Sequence, residues 1–123
     1  MKKKYTVAED GFVGYWHPAD GHAGKAIIVF PGSGADYELT RKGSEFLRSA
    51  GWSCLLVAFA GWDGLPEDPV LAPVEYAEKA VMALKEAGYE NVGAYGISAG
   101  AKYAITAASL LPDISLVIAA SPF

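Results

Sequence analysis

Four apolar runs constrain this chain more than any other feature: Ala26–Phe30, Ser53–Phe59, Val92–Tyr95 and Leu116–Ala120. Each is short and uncharged, the pattern of a strand buried on both faces rather than one with a wet side. Helical spacing fills the gaps between them. In 36–50, Asp36 suits an N-cap, and Leu39, Gly43, Phe46, Leu47 and Ala50 fall along one face, with Gly51 just past the end. Pro73 can open a second helix with a buried stripe of Val74, Ala77, Val81 and Leu84, closed by Gly88. A third runs from about 99 to 111 and stops at Pro112. Ahead of the first apolar run, residues 3–8 and 11–17 have strand-like composition, with turn signals at Asp10-Gly11 and Asp20-Gly21. Strands alternating with helices predict the α/β class: a mostly parallel sheet, right-handed crossovers and helices on both faces. The first two strands read as an antiparallel edge hairpin.

A chain of 123 residues makes one domain, 1–123. The net charge of −4 gives no footprint for nucleic acid. No apolar run approaches the roughly 20 residues of a membrane span, so no membrane partner is expected. Lys2, Lys3 and Lys4 precede Tyr5 to Asp10, which is not the apolar core of a secretory leader, and the plain expectation is a cytoplasmic protein. The single cysteine, Cys54, excludes a disulfide within the chain and a cysteine-rich zinc cluster; set in Ser53–Val57, it reads as a buried, inert thiol. No metal and no organic cofactor are expected.

Chemistry concentrates at Gly96-Ile97-Ser98-Ala99-Gly100, a G-x-S-x-G pattern between the third apolar run and the third helix. In that setting Ser98 can occupy a sharp strand-to-helix turn that lifts its hydroxyl above the carboxyl ends of the strands. Gly96 and Gly100 are then required, because larger side chains would strike the neighbouring strand and helix. The helix that starts here aims unpaired N–H groups and its positive end at the same spot, where an oxyanion would form. The other reading is a common Gly-rich turn with Ser98 as an ordinary N-cap.

A second N–H donor has a source in Pro31-Gly32-Ser33-Gly34, which leaves the first apolar run. The donors are assigned to the backbone of Ala99 and Ser33, with Gly34 as the alternative. A simple left-handed turn would also explain these glycines. So would part of a dinucleotide-binding G-x-G-x-x-G, but the third glycine position is Tyr37 and no acid closes the next strand. The 60–72 loop places Trp62, Asp63, Leu65, Glu67 and Asp68 at a carboxyl strand end, where loops wall substrate sites. Trp62 and Leu65 are the candidate substrate contacts; a solvated acidic loop with one packed aromatic is the alternative. Tyr103 reads as packing and Lys102 as a surface cation.

The stretches AIIVFPGSGADYE, GWSCLLVAFAGWDGLPEDPVLAPVEYAEKAVMAL and NVGAYGISAGAKYA together resemble the α/β-hydrolase fold. They are most similar to the branch of acyl-CoA thioesterases, bile acid-CoA:amino acid N-acyltransferases and dienelactone hydrolase-like enzymes. The resemblance covers about residues 5–123. It implies strand order 1-2-4-3-5-6 with strand 2 antiparallel, a catalytic serine at Ser98, and acyl transfer on a small-molecule ester or thioester such as an acyl-CoA. It also implies a triad in the order Ser…Asp/Glu…His, with the acid after strand 7 or 6 and the histidine after strand 8. The chain departs from that pattern. After Ser98 its one acid is Asp113, expected at the opposite end of the sheet, and it has no histidine there. Ser121-Pro122-Phe123 follows strand 6. His17 and His22 flank the turn between strands 2 and 3, at the amino ends of the parallel strands, and read as surface residues. The expectation is therefore the N-terminal half of a serine hydrolase, truncated before strands 7 and 8. The alternatives are a homo-oligomer pairing through the open edge of the last strand, and a module without catalysis.

Overall fold

The computed structural model describes residues 1–20, 24–32, 35–59, 61–62, 65 and 74–120. In chain order the elements are β1 (Lys4–Tyr5), α1 (Val7–Asp10), β2 (Val13–His17), β3 (Lys25–Phe30), α2 (Tyr37–Ser49), β4 (Ser53–Ala58), α3 (Glu75–Glu86), β5 (Asn91–Ile97), α4 (Ala99–Leu110) and β6 (Ile114–Ala120). The strands form one six-stranded sheet in the order β1-β2-β4-β3-β5-β6, as the resemblance implies. β1 and β2 are antiparallel to each other, and β2 is antiparallel to β4. β3, β4, β5 and β6 run parallel. The alternation of apolar strand and helix is thus realised as a doubly covered sheet.

The period of two along β3 divides the core. Ile28 and Phe30 join Leu55, Val57, Val92 and Ala94 under α3, whose Ala77, Ala80, Val81 and Leu84 are buried, and under Ala104 and Ala107 of α4. Ile27 and Val29 face the other way, against Cys54, Leu56, Tyr95 and Leu47 of α2. Small residues on α4 let it approach the sheet closely, which matters for the site below. Cys54 is fully buried and loss of solvation pushes its thiol up to about 12, so it stays protonated, as the sequence suggests.

Three local expectations are corrected. Residues 7–10 are helical, not the end of a strand, so β1 and β2 are not joined by a simple hairpin turn. The Thr6 hydroxyl accepts the Glu9 N–H, the Asp10 carboxylate accepts the Thr6 N–H and pairs with Lys2, and Gly11 closes the turn at φ 85°. Side-chain capping here overrides strand-like composition. On α2 the buried face is Thr40, Ser44 and Leu47; Leu39 and Gly43 face outward, and Phe46 is largely exposed although its ring lies edge-on to Tyr95 at 5.6 Å. The Asp36 cap and the Gly51 terminus (φ 96°) are as expected. The last strand begins at Ile114 rather than Leu116 and is not fully buried: Leu116 is 42% exposed and Ile118 38%. It has a partner on one side only, among the described residues.

Candidate active site

β5 ends at Ile97 and α4 begins at Ala99, so the whole reversal falls on Ser98. Its backbone sits at φ 56°, ψ −117°, and among the described residues it is the only non-glycine with positive φ. That conformation costs of order 1–3 kcal/mol and persists only where the surroundings enforce it. The enforcement is visible. The Ser98 N–H donates to the Ala120 carbonyl (2.8 Å), and the Ser98 carbonyl accepts the Ala101 N–H (2.9 Å). The hydroxyl makes no capping bond to α4, so the ordinary N-cap reading fails, and the side chain is half-buried.

Gly96 and Gly100 have the steric role expected of them. A β-carbon on Gly96 would strike the Gly100 carbonyl and lie 2.7 Å from the Ala101 Cα. One on Gly100 would strike the Phe30 carbonyl oxygen and lie 2.7 Å from the Phe30 carbonyl carbon. The obstacles are backbone atoms of α4 and of the end of β3, and backbone cannot rotate aside. The two glycines therefore let β5, α4 and the end of β3 converge within van der Waals range.

Gly32 completes this convergence. Its virtual β-carbon would lie 3.2 Å from the Ile97 carbonyl oxygen and 3.6 Å from the Ser98 β-carbon. The loop after β3 thus runs directly beside the serine at Gly32. Ser33 and Gly34, assigned the second oxyanion donor from the sequence, lie outside the described residues. Ala99 is the first residue of α4, so its N–H has no acceptor within the helix. No acidic side chain occupies the first turn to offset the positive end of the helix.

Trp62 has a more definite place than a solvated loop would give. It is 9% exposed, and its indole N–H donates to the Ala35 carbonyl (2.9 Å). Ala35 in turn donates its N–H to the Gly32 carbonyl (3.1 Å). The turn that flanks Ser98 is therefore tied to the segment after β4 through one indole. Leu65 donates its N–H to the Trp62 carbonyl (3.0 Å) and packs against the core on the α2 face. Asp63, Glu67 and Asp68 lie outside the described residues. Below the site, Tyr103 stacks on Phe59 (4.8 Å between centroids, 8° between planes) and against Phe30 (4.8 Å). Loss of solvation pushes its phenol well up, which suits packing and not proton transfer.

The two ionisable candidates for a triad among the described residues are elsewhere. His17 pairs in register with Cys54 near the start of β4, at the end of the sheet opposite Ser98. It is half-buried rather than a free surface residue, and its Nε2 lies 2.7 Å from the Tyr37 hydroxyl. Burial, helped by Arg41 and Arg48, pulls its pKa below 6.5. His22 lies outside the described residues. Asp113 precedes β6, also at the far end, 3.7 Å from the Lys85 ammonium. Among the described residues no group of three or more His, Cys, Asp or Glu could hold a metal ion, and no helix is long and apolar enough to cross a membrane.

The sheet order, the antiparallel second strand and the strained serine after the fifth strand together define the α/β-hydrolase fold. Solved structures of such enzymes superpose on it at low identity. The α/β hydrolase GrgF from a Penicillium species aligns with 94% of this chain at TM-score 0.74 and 23% identity. An esterase from Pyrococcus furiosus aligns with 99% at TM-score 0.73 and 21% identity. A dienelactone hydrolase-like promiscuous phosphotriesterase from metagenomic libraries aligns with 97% at TM-score 0.72 and 18% identity. The chain spans 43%, 56% and 57% of those three proteins respectively. No family model and no curated protein matches the sequence.

Proposed function

We propose that this chain carries the nucleophile half of a serine hydrolase acting on small-molecule esters or thioesters. The observation that carries this reading is Ser98 itself. A non-glycine residue held at φ 56° by two glycines and a carbonyl of the neighbouring strand, with its hydroxyl unused as a cap, is costly for structure alone. The hydrolytic activities named for the structural neighbours agree with it, and so does the resemblance of the quoted stretches to the thioesterase and acyltransferase branch.

In this reading the Ser98 Oγ attacks the acyl carbon while its proton passes to a general base. The Ala99 N–H and a donor from the loop after β3, Ser33 or Gly34, hold the oxyanion. Collapse expels the alcohol or thiol, which takes the proton, and water then releases the carboxylic acid from the acyl-enzyme. The base and its acid come from outside the described residues, since His17 and Asp113 are at the wrong end of the sheet. The reading needs no metal or organic cofactor.

A fluorophosphonate probe tests it. Label on Ser98 that vanishes in Ser98→Ala is the expected result. No label, with no turnover of a p-nitrophenyl ester or an acyl-CoA, refutes it. The exposed Leu116 and Ile118 on the open edge of β6 favour a second reading, association through that strand. Size-exclusion chromatography with light scattering separates the two: dimers that Ile118→Lys disperses support it, and a monodisperse wild-type monomer rejects it.

A further inference from the structure

A concavity of about 750 Å³ opens beside β1 and β2 and does not include Ser98 among its described lining residues. Lys4, Val7, Val13, Tyr15, Tyr37 and Trp62 are among its described lining residues. The volume lies in the range of small-molecule sites, roughly 300–1,000 Å³. Val13 pairs with Ala58 at the last position of β4, so the cavity is at the carboxyl end of that strand.

Its chemistry is specific. Tyr15 and Tyr37 are 4.3 Å apart between centroids, and Trp62 is 6.0 Å from the first and 6.2 Å from the second. Rings this close touch one another. They form a continuous aromatic wall, not plates spaced around an empty centre as in a cage for a quaternary ammonium. The cationic position is also taken, because the Lys4 ammonium sits 5.6 Å from the Tyr15 centroid and would repel a second cation. Lys4 has no ion-pair partner among the described residues. The one carboxylate in the lining, Asp36, is already engaged, accepting the Leu39 N–H (2.9 Å) as the cap of α2. Among the described residues, what is left unfilled is an apolar surface of tilted aromatic rings with one positive charge at its edge.

We propose that this cavity binds a small monocarboxylate, its aromatic or short aliphatic body on the Tyr15–Tyr37–Trp62 wall and its carboxylate beside Lys4. The site is independent of Ser98 chemistry. It is nevertheless connected to the loop beside that serine, because Trp62 forms part of the wall and holds the Ala35 carbonyl.

The test follows the three tryptophan indole N–H resonances by proton–nitrogen correlation NMR, with Trp62 identified from its loss in Trp62→Phe. Phenylacetate is the probe, with phenylacetamide and phenethylamine as the neutral and cationic analogues. Trp16 packs beside Tyr89 and Trp52 lies under Lys25, so both are internal controls. The expected result is a saturable shift of Trp62 alone with phenylacetate, a weaker one with the amide and none with the amine. Lys4→Gln should weaken phenylacetate binding by about threefold, the scale of one exposed ion pair. Ala8→Phe, which fills the cavity from an exposed position on α1, should abolish the shift. No Trp62 shift with phenylacetate, an equal shift with the amine, or a shift that survives Ala8→Phe overturns the proposal. Fluorophosphonate labelling of Ser98 in the same wild-type sample reports separately on the hydrolase reading, so either can fail without the other.

Discussion

Replacing Gly100 with alanine should destabilise the protein, although it puts a better helix former into a helix. Gly100 is the second residue of α4, and alanine there gains roughly 1 kcal/mol of intrinsic propensity. Against this, the added β-carbon meets the Phe30 carbonyl oxygen at less than contact distance and lies 2.5 Å from the Pro31 carbonyl oxygen. Ordinary contact begins near 3.4 Å, so α4 must withdraw from the end of β3 by about an ångström. A gap of that size forfeits about a quarter to a half of the dispersion attraction across the interface that Ala101, Ala104 and Ala107 bury. Overpacking of this kind costs about 1–3 kcal/mol and sometimes more, and a clash with backbone belongs at the upper end. With the propensity gain of about 1 kcal/mol subtracted from that upper-end cost, the net loss is about 1–2 kcal/mol, or roughly 4–8 °C in Tm for a chain of this length. Gly43→Ala is the matched control. It lies in α2, exposed, and its β-carbon would meet nothing within 4 Å. That variant should gain about 0.5–1 kcal/mol. Circular-dichroism melts and urea titrations of the pair decide the matter. Equal shifts, or a Gly100→Ala protein at least as stable as wild type, would refute the close packing that defines the turn.

Relief of strain gives a second comparison: Ser98→Gly and Ser98→Ala both remove the hydroxyl and should both abolish probe labelling, but the glycine variant should be about 1 kcal/mol more stable, since only glycine accepts φ 56° freely. Equal stabilities in urea would remove strain from the account. Trp62→Phe keeps the ring and loses the donor to Ala35; it should cost about 1 kcal/mol and slow Ser98 labelling, and an unchanged labelling rate would free the flanking loop from Trp62. His17 predicts a pH dependence. Burial depresses its folded pKa below 6.5, so folding favours the neutral ring. Its contribution is complete above 6.5, falls as the unfolded chain takes up the proton below that value, and is fully lost once pH drops through the folded pKa. Urea stabilities from pH 7.5 down to pH 5 should therefore decline, and His17→Gln should flatten the slope; parallel curves would contradict the assignment.

The elements that reached the structure unchanged share a physical origin. β3, β4 and β5 are continuous apolar runs that nothing but burial on both faces explains, and α3 carries an unbroken apolar stripe from Ala77 to Leu84. The failures also share one. At residues 7–10 local side-chain bonds from Thr6 and Asp10 decide the conformation, and hydropathy does not register them. On α2, Leu39 points outward while Thr40 and Ser44 are buried. Helical spacing permits either face, and only the position of the sheet selects one. In the sequence, Tyr37 does no more than break a dinucleotide fingerprint. Its ring, in contact with Tyr15 and Trp62, could not be placed beside theirs until β2 was known to run antiparallel next to β4.

The serine motif gained its meaning from a partner the pattern does not contain. G-x-S-x-G describes five consecutive residues, yet the atoms that make Gly100 obligatory belong to Phe30 and Pro31, in a strand some seventy residues earlier. Gly32, on the same loop, approaches the Ser98 β-carbon and has no place in the pattern at all. What distinguishes this turn from any Gly-rich strand–helix junction is thus a three-way approach of β3, β5 and α4, which only a parallel pairing of β3 with β5 can produce. That pairing puts Ser98, the start of α4 and Gly32 at one end of the sheet, and it puts His17 and Asp113 at the other. The proposed role of Ser98 therefore rests on the same geometry that keeps these two residues away from it.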